Sequence, residues 1–342
     1  MSEKVSMEVI AKKLGISKNT VSLALRGAPG ISGQTRSLVT DMAEKLGYYY
    51  KSSDQKREPS RNLCIVIPKS TRDSIGFFSF IQLGIEDEAR KNNINTILHY
   101  YDESDMGFVT PLCIRKGMIS GIIALGRISE RTVKTIQTFG LPIVMVDHYF
   151  DDIELDCILT DNQCGCYIAT EYLINKGHRD IGFFGDISAS ISFYDRYRGY
   201  LKALENYGVP FVPKFAVIDK NLEELARTDI YDAVKVLKTL DRLPTAIVCC
   251  NDAEAITLCK ALRTMDVSIP ERVSVVGFDD IEASRNVTPE LTTMRVRKEL
   301  MGRKAVSKLL SLFSEKESIP EKLLLSTDLI ERSSVMELVA GS

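Results

Sequence analysis

The chain has 342 residues and a near-neutral formal net charge of −2, with 44% apolar and 26% charged residues, as expected of a folded globular chain. It is long enough for two or three compact units, and no run of about twenty apolar residues occurs, which excludes a membrane-spanning helix. The opening stretch MSEKVSMEV lacks the apolar core of a signal peptide, so a cytoplasmic location is expected.

Residues 5–27, VSMEVIAKKLGISKNTVSLALRG, predict two short amphipathic helices joined by a turn at Gly15-Ile16. Val9, Ile10 and Leu14 recur at helical spacing in the first, and Val21, Ala24 and Leu25 in the second. Ser17 stands where the second helix needs an N-cap, and Ser6 is placed to cap the first. Two helices across so tight a turn form a helix-turn-helix, in which the first residues of the second helix reach base edges in the major groove. Those residues are Lys18 and Asn19. Gly27-Ala28-Pro29-Gly30 breaks the pattern, and Ser32 caps a third helix running to Leu46 and stopping at Gly47, with an apolar stripe of Leu38, Val39, Met42 and Leu46. Residues 1–61 hold eleven Lys or Arg against six Asp or Glu, whereas the remainder is acidic. A basic amino-terminal module on an acidic body is the asymmetry expected when one part meets phosphate and the other does not.

Residues 51–62, KSSDQKREPSRN, are polar, aperiodic and contain Pro59, the composition of a linker. From Leu63 the texture changes to short apolar runs alternating with amphipathic helices: LCIVIP, INTILHY, GMISGIIAL, PIVMVD, DIGFFGD, FAVID, TAIVCCND and VSVVGFDD. Such alternation predicts parallel sheets covered on both faces. About 270 residues exceed one sheet, so two similar units are expected, with a crossover near Thr160-Asp161-Asn162 and with residues beyond Leu291 completing both. The ends of these strands are polar: Asp147-His148, Asp186, Asn251-Asp252 and Asp279-Asp280. In open α/β sheets ligands bind beyond the carboxyl ends of the strands, and carboxylates, an amide and an arginine converging there suit a ligand rich in hydroxyls. Alternatively, these residues simply cap the helices that follow.

Other chemistry finds little support. Cys64, Cys249 and Cys250 lie in apolar strands, Cys164 and Cys166 have no matching second pair, and the three histidines are scattered, so buried structural thiols are expected rather than a metal or disulfide site. No G-x-S-x-G, P-loop or dinucleotide-binding glycine fingerprint occurs, and adjacent Asp147 and His148 on one strand point to opposite faces. Neither enzymatic activity nor a cofactor is expected.

The segments VIAKKLGISKNTVSLALRG, ISGQTRSLVTDMAEKLGY, DNQCGCYIATEYLINKGHRDIGFFGD, DRYRGYLKAL, PTAIVCCNDAEAI, VSVVGFDD and ELTTMRV, in this order and spacing, resemble the LacI/GalR family of bacterial transcriptional repressors over nearly the whole chain. The resemblance implies an all-α helix-turn-helix head, residues 1–50, and a hinge, residues 51–62. It also implies an α/β body, residues 63–340, of two doubly wound parallel-sheet lobes like a periplasmic sugar-binding protein. Lobe 1 is expected at about 63–159 plus 292–322, and lobe 2 at about 160–291 plus 323–340. A homodimer on a pseudo-palindromic double-stranded DNA operator is implied, gated by a small carbohydrate-like effector in the cleft. A purine-type ligand or a protein co-regulator is the alternative. By position, Ser17, Lys18, Asn19, Thr20 and Ser22 face DNA, with Lys18, Asn19 and Leu23 in the base-reading places. In the cleft, Phe77 or Phe78 stacks on the effector while Asp147, Arg196, Asn251 and Asp279 bond to it. Two departures stand out. Leu23 replaces the arginine of many members, giving an apolar contact to a thymine methyl. The hinge lacks the leucine that wedges into the minor groove and is about two residues shorter, although Lys51, Lys56, Arg57 and Arg61 remain for phosphate.

Overall fold

A computed structural model describes residues 6–26, 28, 30–46, 48, 62–73, 76–102, 108–314 and 319–338. The chain divides into two compact units, Met1–Glu58 and Pro59–Ser342. Residues 51–61 of the expected hinge, with Lys51, Lys56, Arg57 and Arg61, lie outside the described residues, as does the stop at Gly47, and the last hinge residue, Asn62, opens the first strand instead.

The first unit holds α1 (Met7–Leu14), α2 (Lys18–Leu25) and α3 (Gly33–Lys45). Ile10, Ala11, Val21, Ala24, Val39 and Ala43 form its core, edged by Leu14, Leu25 and Met42. Gly15 ends α1 at φ 65°, a left-handed conformation that glycine adopts without strain. Ser17 Oγ accepts the Thr20 amide at 3.0 Å, and Ser32 Oγ accepts that of Thr35 at 3.1 Å, so both predicted caps form. Ser6 occupies the N-cap position with extended backbone, but its side chain makes no capping bond. Leu38 is a second difference: it is 54% exposed, because Val39, Met42 and Ala43 already define the inward face and Leu38 lies about 100° off it.

The second unit contains two six-stranded sheets. The first comprises β1 (Asn62–Pro68), β2 (Asn95–Tyr101), β3 (Gly121–Leu125), β4 (Ile143–Val146), β5 (Asp156–Thr160) and, from the end of the chain, β11 (Lys322–Leu325). The second comprises β6 (Ile181–Phe184), β7 (Ala216–Val217), β8 (Ala246–Cys249), β9 (Ser274–Asp279), β10 (Thr292–Arg295) and β12 (Asp328–Ile330). Their orders, β11-β5-β4-β3-β1-β2 and β12-β10-β9-β8-β6-β7, repeat one topology. Every pairing is parallel except that of β12 with β10. β3, β4, β6 and β8 are buried along their whole length, as unbroken apolar runs covered on both faces must be.

The intervening helices are α4 (Phe78–Lys91), α5 (Leu112–Arg115), α6 (Glu130–Gln137), α7 (Asn162–Asn175), α8 (Ile191–Asn206), α9 (Leu222–Leu225), α10 (Ile230–Lys238), α11 (Asp252–Thr264) and α12 (Lys298–Ser314). α4 packs on α12 beside the first sheet, and α7 on α8 beside the second. Gly84 and Gly302 permit the first contact: a Cβ on Gly84 would stand 2.1 Å from the Glu299 carbonyl, and one on Gly302 2.1 Å from that of Ile81.

The chain crosses between lobes three times, after β5, between β10 and α12, and between β11 and β12. The last two crossings fall away from the expected boundaries. Residues 292–295 pair with β9 and belong to lobe 2, while 323–325 pair with β5 and belong to lobe 1. Apolar periodicity marks a strand but does not say which sheet receives it. Among the described residues no helix is long and apolar enough to cross a membrane.

Candidate DNA interface and effector cleft

In the head, α2 divides its residues cleanly. Val21 and Ala24 are buried, Ser17, Lys18 and Asn19 are exposed, and Thr20, Ser22 and Leu23 are partly exposed. All six residues assigned to DNA that are described thus keep an accessible side chain. Lys18 Nζ is ion-paired with Glu8 of α1, both side chains being more than half exposed, and that bond holds the Glu8 carboxyl down to about 2. Ser17 and Thr20 hydroxyls bond to each other at 2.8 Å. Asn19 is the polar residue of the turn with no such tie among the bonds described for the head.

In the body, three sequence-predicted residues converge from two lobes. Arg196 of α8 is 2% exposed, with its guanidinium 3.8 Å over the Phe278 ring. Its Nε donates to Asn162 Oδ1 at 2.8 Å, Nη1 donates to the Cys250 carbonyl, and Nη2 lies 3.1 Å from Asp279 Oδ1. Asp147, at the end of β4 in lobe 1, faces this pair. Its Oδ1 is buried without a hydrogen-bond partner, and burial pushes its carboxyl up to about 7, with Arg196 pulling down and Asp279 pushing up. Burial likewise raises Asp279, against Arg196 and Lys298. Asp147 and Asp279 have φ 61° and 113°, and Asp280 beside them has φ 50°, a region that aspartate enters more readily than most L-residues.

Phe77 is buried at the start of α4, its ring 5.0 Å from and edge-on to that of Phe78. Lys298 links Phe77 to the cluster: its Nζ is 6.0 Å from the ring centroid and donates to the Asp279 carbonyl. Asn251 follows Cys250 and caps α11, Oδ1 accepting the Glu254 amide at 2.8 Å, which leaves its Nδ2 to donate elsewhere.

The remaining polar strand ends are structural. Asp186 Oδ1 accepts the Ser188 amide and hydroxyl in a local turn. Asp252 accepts the Ile281 amide at 2.9 Å and the Thr293 hydroxyl, with burial pushing its carboxyl up to about 8. Asp280 is gripped by Arg332, by Arg295 at 2.7 Å and by Arg285 at 3.8 Å. His148 packs edge-on against Phe150 and is driven down to about 4 by burial and Arg127, so it stays neutral and forms no dyad with Asp147. Two contacts bridge the lobes at the cleft rim: Tyr149 Oη donates to Asp195 Oδ2 at 3.2 Å, and Arg127 donates to the Ala189 carbonyl.

Sequence reasoning missed Asn162, Phe278 and Lys298. Asn162 reads as the start of a helix, Phe278 as strand core and Lys298 as a helix surface; only tertiary contact reveals their roles. A cavity of about 530 Å³ opens near the second crossover, lined by Phe80, Asp280, Lys298 and several arginines. Those arginines are committed, Arg297 to Asp328, Arg303 to Glu299, and Arg285 and Arg295 to Asp280. Among the described residues no cluster could hold a metal ion.

Residues 6–50 match the model of bacterial regulatory proteins of the lacI family, and residues 170–335 that of a periplasmic binding protein-like domain. The chain is 30% identical to the probable HTH-type transcriptional repressor ExuR of Bacillus subtilis (strain 168), over 98% of this chain and 99% of that protein. It superposes with a TM-score of 0.69 on a LacI family transcriptional regulator from Enterococcus faecium with bound ribose, at 25% identity, covering 81% of this chain and all of the other. The lac repressor dimer bound to operator and an anti-inducer gives a TM-score of 0.66 at 20% identity, covering 98% of this chain and all of that one. With a helix-turn-helix head, twin parallel-sheet lobes and relatives that are named repressors rather than enzymes, the chain belongs to the LacI/GalR family of bacterial transcriptional regulators.

Proposed function

We propose that the protein is a cytoplasmic, homodimeric repressor of a pseudo-palindromic operator, released or engaged by a small polyhydroxylated effector held between its lobes. The observation that carries the effector reading is the buried Asp147 Oδ1, an acceptor without a donor in a cleft that also presents Asp279 and Phe77. Buried acceptors are almost always satisfied, and a ligand hydroxyl supplies the donor. The ribose-bound relative and the operator-bound dimer support the same reading by analogy of fold. Apolar side chains exposed on α4 (Leu83), on edge strand β2 (Leu98) and on the segment after it (Leu112, Met118) give the second copy a surface to cover.

The test is a thermal-unfolding screen of the full chain against sugars, sugar phosphates, nucleosides and purines. A ligand at about a hundred times its Kd adds roughly 2.7 kcal/mol. A shift that disappears in Asp147→Asn supports the cleft; a shift that persists places the ligand elsewhere. For the DNA face, each head enters one major groove and the dimer sets half-site spacing. Leu98→Lys should yield monomers by sedimentation and weaken operator binding, and a variant that stays dimeric would move the interface off β2.

A further inference from the structure

We propose that Lys298 is a specificity-determining residue of the cleft, selecting an effector that carries a carboxylate, a sugar acid, over the corresponding neutral sugar. This rests on the cleft being the effector site and goes beyond it by naming the ligand's charge. Lys298 opens α12 at the second lobe crossing and is only 8% exposed. Its ammonium donates to the carbonyl oxygens of Asp279 and Asp280, the latter at 3.1 Å, and faces the Phe77 ring. Among the described residues its third N–H has no acceptor and it forms no ion pair.

The carboxylates around it are spent on other partners. Asp279 is paired with Arg196, and Asp280 with Arg332 and Arg295. Asp252 takes the Thr293 hydroxyl and the Ile281 amide, and burial keeps it protonated near neutral pH. A buried ammonium with no carboxylate in direct contact is an expensive arrangement, and burial lowers its pKa against the pull of Asp279, Asp252 and Asp280. A ligand carboxylate would supply the missing charge through a charge-assisted hydrogen bond. Arg196 keeps two further N–H groups, but it already has a carboxylate partner in Asp279, so Lys298 is the cation of the cleft without one. A single ammonium with one free N–H suits a monoanion better than a phosphate dianion. Asp147, which ends β4 on the same lobe as α12, is left to take the hydroxyls of the same molecule.

The experiment is calorimetric titration of the full chain with glucuronate against glucose and galacturonate against galactose, with glucose 6-phosphate as a further arm. At least one acid should bind about tenfold or more tighter than its neutral partner. Lys298→Gln, which keeps an N–H for the carbonyls and removes the charge, should erase that preference, and Lys298→Arg should restore part of it. Equal or tighter binding of the neutral sugar, with the signal lost in Asp147→Asn, overturns the proposal and leaves the cleft intact. Tightest binding of the phosphate, or an acid preference that survives Lys298→Gln, also overturns it. Binding of none of the five by the wild-type chain overturns both the proposal and the sugar reading beneath it.

Discussion

Asp147 and Asp280 end two strands of similar apolar sequence, yet their surroundings give them opposite tasks. Asp280 is a clamp between β9 and the last segment of the chain, and its pKa falls because Arg332 and Arg295 outweigh burial. Its contribution is therefore present above the ordinary carboxylate range and is lost as pH falls through the lowered pKa. Asp280→Ala should destabilise the body by about 3–5 kcal/mol in denaturant titration, since Arg332 is left buried and unpaired. Asp147 works the other way. With a folded pKa of about 7 against an ordinary 3.8, its contribution is greatest below about pH 4 and is lost as pH rises through 7. Asp147→Asn should raise stability at pH 8 by about 1–3 kcal/mol and flatten the decline between pH 4 and 7, while abolishing the effector response. A variant that is less stable at pH 8 would mean that Asp147 holds the fold rather than the ligand. On the head, Asn19→Ala should cost about 1–3 kcal/mol of operator affinity and relax specificity at one base pair. Equal loss on all sequences would remove it from base readout.

At the scale of elements, α2 was legible in the sequence because its two faces obey the helical period and its cap and turn are local. Sheet membership was not. Thr292–Arg295 and Lys322–Leu325 are short strands whose partners lie more than ten residues away, and nothing in their own composition chooses between two similar sheets. The same limit applied to the cleft. Strand-end position nominated Asp147, Asn251, Asp252, Asp279 and Asp280 alike, and only their partners separate the structural Asp252 and Asp280 from Asp147 and Asp279, each of which has a buried oxygen without a hydrogen bond. Legibility also missed that α1 restrains α2 through Glu8. Glu8→Gln frees Lys18 and removes a carboxylate from beside a residue proposed to face DNA. It should raise affinity for non-specific duplex several-fold and steepen the salt dependence by about one phosphate contact, measured by fluorescence anisotropy. An unchanged salt slope would show that Lys18 does not approach the backbone.

At the scale of the molecule, the two lobes are joined by three crossings and by the rim contacts Tyr149–Asp195 and Arg127–Ala189. Lobe opening must break those contacts while the crossings bend, so they bias the equilibrium that an effector shifts. Tyr149→Phe with Arg127→Ala should favour the open arrangement, seen as an increased radius of gyration in solution scattering and a faster effector on-rate. No change in either would place the barrier in the crossings. The crossings also set an order in time. Contacts of the head close within residues 7–48, whereas the first sheet waits for β11 and the second for β12, which ends at Ile330. At about 5–20 residues per second, roughly 15–60 s of synthesis separate the two. A growing chain therefore owns its helix-turn-helix head long before it owns either finished lobe. On the proposed function, a stop codon placed before residue 322 would strip an edge from both sheets at once, leaving the residues proposed for DNA and the cleft in the sequence of a protein that no ligand can instruct.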